Sequence, residues 1–139
     1  MAALAFQISE IEAGTPGDGS AELMSDHGAL IRKEERALEL CEAMIDISAA
    51  LFNVSSKEIR VAGRSRFSVS RVRQVAMYVA HVTLRLNMAE VGRGFGRDRK
   101  TVQYACGVIE DLREDPDFDH IVAQTERVAL AALRNRISG

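Results

Sequence analysis

The chain has 139 residues, 47% of them apolar and 27% charged, with no Trp, two Tyr and two Pro. That length holds one compact domain with flanking arms, and a core left to Val, Leu, Ile, Met and Ala favours packed helices over a sheet. The net charge of −2 by itself argues against a polyanionic partner, and no apolar run approaches the roughly 18–20 residues of a membrane span.

The distribution of charge reverses the first of those arguments. Met1–Ser56 holds 3 basic and 10 acidic residues, Lys57–Lys100 holds 11 basic and 3 acidic, and Thr101–Gly139 holds 4 basic and 7 acidic. A middle of net +8 between acidic ends is the electrostatic footprint of a nucleic-acid face.

Residues 1–28 read as a flexible acidic arm, punctuated by the breakers Gly14-Thr15-Pro16-Gly17-Asp18-Gly19-Ser20. Met1–Gly14 carries no basic residue, so no secretory signal is expected. Cys41 and Cys106, each in an apolar helical stripe, then read as free thiols in a reducing cytoplasm.

From Ala29 to Phe52 the spacing predicts a helix, capped by Ser25 or Asp26 and buried through Ala37, Leu40, Cys41, Met44, Ile45, Ser48, Leu51 and Phe52. Leu38, Ile45 and Phe52 widen its stripe, so a partner beyond its own domain is expected. Ser55-Ser56-Lys57-Glu58 fits a capping box and opens a short helix through Val61. The basic loop Gly63-Arg64-Ser65-Arg66-Phe67-Ser68 follows.

Ser70 is expected to cap the next helix, with Val72, Val75, Ala76, Val79, Val82 or Thr83, and Leu86 buried, and with Arg71, Arg73 and Gln74 near the basic loop. Asn87 and Glu90 form a second box-like start, for a helix over Met88–Phe95 in which Gly92 permits close approach to a neighbour. Gly96 and Arg97 make the turn. Asp98 caps the following helix from the favourable side of its dipole. Val102, Ala105, Cys106, Ile109 and Leu112 form its buried stripe. At about 100° per residue, Lys100 and Tyr104 lie opposite, flanked by Arg99 and Gln103, in the turns where a recognition helix meets base edges. Asp115-Pro116 then starts a helix over Asp117–Arg136, with Phe118, Ile121, Val122, Val128 or Ala129, Ala132 and Leu133 as its apolar side. Helix, Gly-punctuated basic turn and second helix are the layout of a helix-turn-helix.

The segments Arg73-Gln74-Val75-Ala76-Met77-Tyr78-Val79-Ala80, Glu90-Val91-Gly92, Phe95-Gly96, Arg97-Asp98, Thr101-Val102, Ala105-Cys106 and Ile109-Glu110 resemble, in order and nearly in spacing, the C-terminal DNA-binding domain of the bacterial replication initiator DnaA. The resemblance spans Leu38 to Arg113. It implies an all-α, Trp-repressor-like helical domain at residues 29–114, with the acidic arm before it and an extra amphipathic helix at residues 115–139. In the family a Phe-Gly-Gly-Arg-Asp-His-Thr-Thr run opens the recognition helix. Here it is one Gly shorter, and Arg99 and Lys100 stand where the family has His and Thr. Met88-Ala89 replaces the family's Leu-Pro, and Val72 its Pro before Arg-Gln. Arg or Lys suits guanine O6 and N7, whereas Thr offers a methyl to thymine, so the fold is expected to carry over and the initiator's own site is not.

Together these readings predict a sequence-specific double-stranded DNA-binding regulator of transcription or replication. Arg99, Lys100, Gln103 and Tyr104 would read the major groove and Arg64 or Arg66 the minor groove. Arg71, Arg73, Arg93, Arg97 and Thr101 would hold phosphates, with Gln74 beside them and Asp98 as a cap that orients Arg97 or Arg99. A homodimer through the Ala29–Phe52 helix, the Asp117–Arg136 helix or both would present two recognition helices. The alternative is an interaction adaptor that keeps the fold without specific readout. His27, His81 and His120 are scattered without ligand spacing, so no metal is expected. No Ser, His and carboxylate grouping points to an enzyme, and no cofactor is implied. Gly92, Gly94 and Gly96 before Lys100-Thr101 look like a phosphate loop only superficially, since that loop needs Gly directly before the Lys, and no nucleotide binding is expected.

Overall fold

The computed structural model describes residues 20–61 and 67–138. Among these there are six helices and no strand: α1 Ser20–Phe52, α2 Ser56–Arg60, α3 Phe67–Val82, α4 Met88–Phe95, α5 Arg99–Leu112 and α6 Pro116–Ser138. The chain divides into two units after Glu35. The first contains the N-terminal half of α1, which begins at Ser20 rather than at Ala29. The second, Arg36–Gly139, contains the core and the site.

Within that second unit α1 buries Ala37, Leu40, Cys41, Met44, Ile45, Ser48 and Ala49, the recurrence of 3 and 4 that places residues on one helical face. Leu51, expected in the core, is 46% exposed, and Leu38 is exposed as well. Asn53 ends the helix in the left-handed region (φ 54°), which a short amide side chain tolerates better than most. Helix α2 docks on α1 through Asp46, which accepts from the Ser56 hydroxyl at 3.0 Å and faces the Arg60 guanidinium at 3.7 Å. Its cap is Ser55, whose hydroxyl accepts from the Lys57 amide at 3.1 Å.

Helix α3 is the centre of the bundle. Val69, Val72, Val75, Ala76, Met77, Tyr78, Val79 and Ala80 are all buried, more than one face of a helix, because other helices pack around it. It starts at Phe67, so Ser70 lies inside it and is not its cap. Val82, offered as a core position, is exposed, and Leu84 is buried in its stead. The physical reason is a widened last turn: the amides of both Thr83 and Leu84 donate to the Val79 carbonyl, and that of Leu86 returns to Ala80. The helical face therefore stops predicting burial at that turn.

Helix α6 folds back on α3. Pro116 is its first residue, and Asp115 precedes it, accepting from the Asp117 amide through its carboxylate and from the Asp119 amide through its carbonyl. Val122, Thr125, Ala129 and Leu133 are buried, while Ile121 and Val128 are exposed and Ala132 does not join the core. Arg113, just past α5, fastens the joint. Its guanidinium donates to Asp119 (2.6 Å), Glu126 (3.0 Å) and the Tyr78 hydroxyl (3.3 Å), and it lies over the Tyr78 ring. Glu126 also accepts from Thr83 at 2.7 Å. A half-buried cation with three partners on two elements fixes their register more than an exposed ion pair would.

Candidate nucleic-acid interface

Local hydrogen-bonding chemistry builds α4, the turn and α5. Asn87 and Glu90 form a reciprocal capping box: the Glu90 amide donates to the Asn87 side chain at 2.8 Å and the Asn87 amide to the Glu90 carboxylate at 2.9 Å. Two of the helix's orphan donors are thereby satisfied. Gly96 takes the left-handed conformation (φ 67°) that ends α4, where a residue without Cβ avoids strain. The Arg97 amide then donates back to the Gly92 carbonyl at 2.8 Å.

The other two glycines have separate packing roles. A Cβ on Gly92 would stand 2.6 Å from the Arg97 carbonyl oxygen, so Gly92 makes room for the turn itself. The close approach to a neighbouring helix occurs at Gly94, where a Cβ would overlap Cβ and Sγ of Cys41 on α1. Burial, with Glu90 and Glu42 nearby, pushes the Cys41 thiol up to about 12, and burial beside Glu110 pushes Cys106 up to about 11. Both therefore stay protonated near neutral pH and behave as core residues.

Asp98 caps α5, accepting the Thr101 amide at 2.8 Å. That amide first, then the Thr101 hydroxyl, holds its carboxyl below the ordinary carboxylate range. A carboxyl so depressed adds stability that is present above its unfolded value and is lost as pH falls through its folded one. Asp98→Ala is accordingly expected to lower the melting temperature at pH 7, and the gap from the parent should begin to narrow as the pH drops below about 3.9 and keep narrowing through the lower, folded value. A gap unchanged at low pH would mean that the charge of the cap is irrelevant.

The buried stripe of α5 is Val102, Ala105, Cys106 and Ile109, with Leu112 half-buried. On the other side Arg99, Lys100, Thr101, Gln103 and Tyr104 are exposed, Tyr104 to 69%. Gly107 continues this outward face, and a Cβ there would meet nothing within 4 Å. Among the described residues, Arg93, Arg99 and Lys100 make no side-chain hydrogen bond or ion pair with the protein. The helix thus carries a buried apolar stripe on one side and exposed donors on the other.

The basic residues around the turn divide differently from the sequence expectation. Arg73, placed among the phosphate holders, is 6% exposed and donates to the carbonyls of Ile59 (2.8 Å) and Glu58 (3.0 Å). Burial, and then the nearby Arg97, lowers its pKa. It fixes the end of α2 and is not presented to a phosphate; its place on α3 looked like basic surface only because the carbonyls it meets lie far back in sequence. Arg97 is half-buried and donates to the Val61 carbonyl at 2.9 Å, with weaker bonds to Phe95 and Gly96. It joins the helix-turn-helix turn to the C-terminal cap of α2. Arg71 pairs with Gln74 at 2.7 Å on α3. Arg64 and Arg66 lie outside the described residues. Arg85, which carried no sequence signal, is exposed, has φ 65° and makes no side-chain hydrogen bond or ion pair.

Residues 41–109 match the family described as the bacterial dnaA protein helix-turn-helix. The chromosomal replication initiator protein DnaA of Mycobacteroides abscessus is 31% identical over 98 residues, which cover 68% of this chain and 20% of that protein. A crystal structure of a DNA replication initiation factor superposes with a TM-score of 0.69 at 26% identity, covering 82% of this chain and 36% of the other. The chain thus spans about a fifth of the length of the initiator it matches. With the capping box, the left-handed turn and the Asp98-capped helix in place, residues 41–109 form a helix-turn-helix of the bacterial DnaA type, resembling the C-terminal DNA-binding domain of that initiator.

Proposed function

We propose that this domain binds double-stranded DNA sequence-specifically and acts in the control of transcription or replication. The observation that carries the reading is the outward face of α5. Arg99, Lys100, Gln103 and Tyr104 are exposed on its first turns, where a recognition helix meets base edges in the major groove. Arg93, exposed and without a side-chain partner, and Thr101 would hold phosphates and set register, with Arg71, Gln74 and Arg97 at the edge of the face. Arg64 or Arg66 would enter the minor groove. Asp98 supports the face as a cap and is not itself a reader.

Selection from a random duplex library at about 150 mM salt, a concentration at which phosphate contacts alone bind weakly, tests the reading. A single enriched motif is expected. Binding without enrichment, or no binding, would defeat direct readout and favour an interaction adaptor. The same experiment addresses a homodimer through α1 or α6, favoured by the exposed Leu38, Leu51, Ile121 and Val128. Two copies would select a two-fold motif with half-sites about one helical turn apart, and a single half-site would refute pairing on DNA.

A further inference from the structure

We infer that Arg85, in the α3–α4 connection, is an additional DNA-phosphate contact at the edge of the interface. The inference rests on the DNA-binding reading above and extends it to a residue outside the helix-turn-helix pattern itself. Leu84 and Leu86 on either side are both buried, and Arg85 between them takes a left-handed φ of 65°. Any residue can be forced into that conformation, but glycine adopts it without strain and asparagine with little, whereas the Cβ of a long side chain collides with its own backbone. An arginine there is the choice that stability alone would reject.

Among the described residues, no side-chain bond of Arg85 offsets that strain. The side chain is exposed and makes no hydrogen bond or ion pair, unlike Arg73, Arg97 and Arg113, whose guanidiniums each hold a backbone or carboxylate group. Strained residues are retained where surroundings or function require them. Arg85 stands two residues before Asn87, the cap of α4, and the first helix of a helix-turn-helix crosses the DNA backbone. A free guanidinium ahead of that helix suits a phosphate oxygen, which it can meet with two parallel donors.

The alternative is an arginine that is merely solvated, and the two readings separate on one variant. Arg85→Gly removes the strain and the charge together, so it should melt a few degrees higher than the parent while binding duplex DNA more weakly. Each phosphate contact contributes about 0.9 to the slope of log affinity against log salt, equivalent to a factor of about 3.5 between 50 and 200 mM. The slope of Arg85→Gly should be shallower by about that amount, Arg85→Asn should match it, and Arg85→Lys should keep the parental slope. The motif enriched from a random library should be the same in all four proteins. A glycine variant that binds with the parental affinity and slope would overturn the Arg85 assignment alone. A parent that fails to bind duplex DNA at low salt would overturn the DNA-binding reading, and this one with it.

Discussion

With Arg99 and Lys100 both replaced by alanine, the domain is expected to keep its fold and much of its general affinity for duplex DNA while losing its preference for one sequence. Both side chains are exposed at the start of α5 and bond to no other side chain, and alanine is the best helix former, so no structural penalty follows from the change. A well-placed bidentate contact to a base discriminates by about 1–3 kcal/mol. Two of them give about 2–6 kcal/mol, a fall of about 30-fold to about 10⁴-fold in the ratio of specific to random-sequence affinity. The measurement is competitive binding of the selected duplex against a scrambled one. An unchanged ratio would mean that specificity resides elsewhere, in the loop arginines or in DNA shape. Because these two positions differ from the family's His and Thr, the enriched motif is also expected to be richer in guanine than one read by Thr.

Substitution of Gly94 acts on stability instead. Its missing Cβ is where Cys41 lies, and both neighbours are core: Cys41 is fully buried and Phe95 nearly so. Overfilling a packed interior costs about 1–3 kcal/mol and occasionally more, so Gly94→Ala is expected to lose about that much despite the better helix propensity of alanine. Gly94→Val should not fold at 37 °C. Denaturant unfolding followed by circular dichroism measures the first, and soluble yield the second. Gly107→Ala is the internal control: it adds the same methyl to a helix where nothing lies within 4 Å, and it should gain stability by up to about 1 kcal/mol. Equal behaviour of the two alanine variants would show that α4 does not pack on α1 as described.

The helix-turn-helix was legible in the sequence because its instructions are local. Asn87 and Glu90, Gly96 and Asp98 act on groups within four residues, and α4, the turn and the buried stripe of α5 fall where those residues place them. Reading failed where the determining partner is distant. Arg73 resembles any surface arginine until the carbonyls of Glu58 and Ile59 arrive from α2. Leu84 takes the core position expected of Val82 because the last turn of α3 widens, which no helical wheel contains. The role of Gly94 was assigned to Gly92 because spacing along a helix does not say which glycine faces the neighbouring helix. Arg85 gave no signal because a left-handed turn is normally announced by Gly or Asn, and neither is there.

Gly107 sets this protein's capacity for change. It is a vacant site on the outward face of α5, bounded by Gln103 and Tyr104 one turn earlier, and a Cβ added there meets nothing within 4 Å. At the other exposed positions of the first turns, new chemistry requires giving up an existing donor or ring. At Gly107 a methyl is additive, so a lineage or a designer could extend this exposed face while every existing side chain is kept.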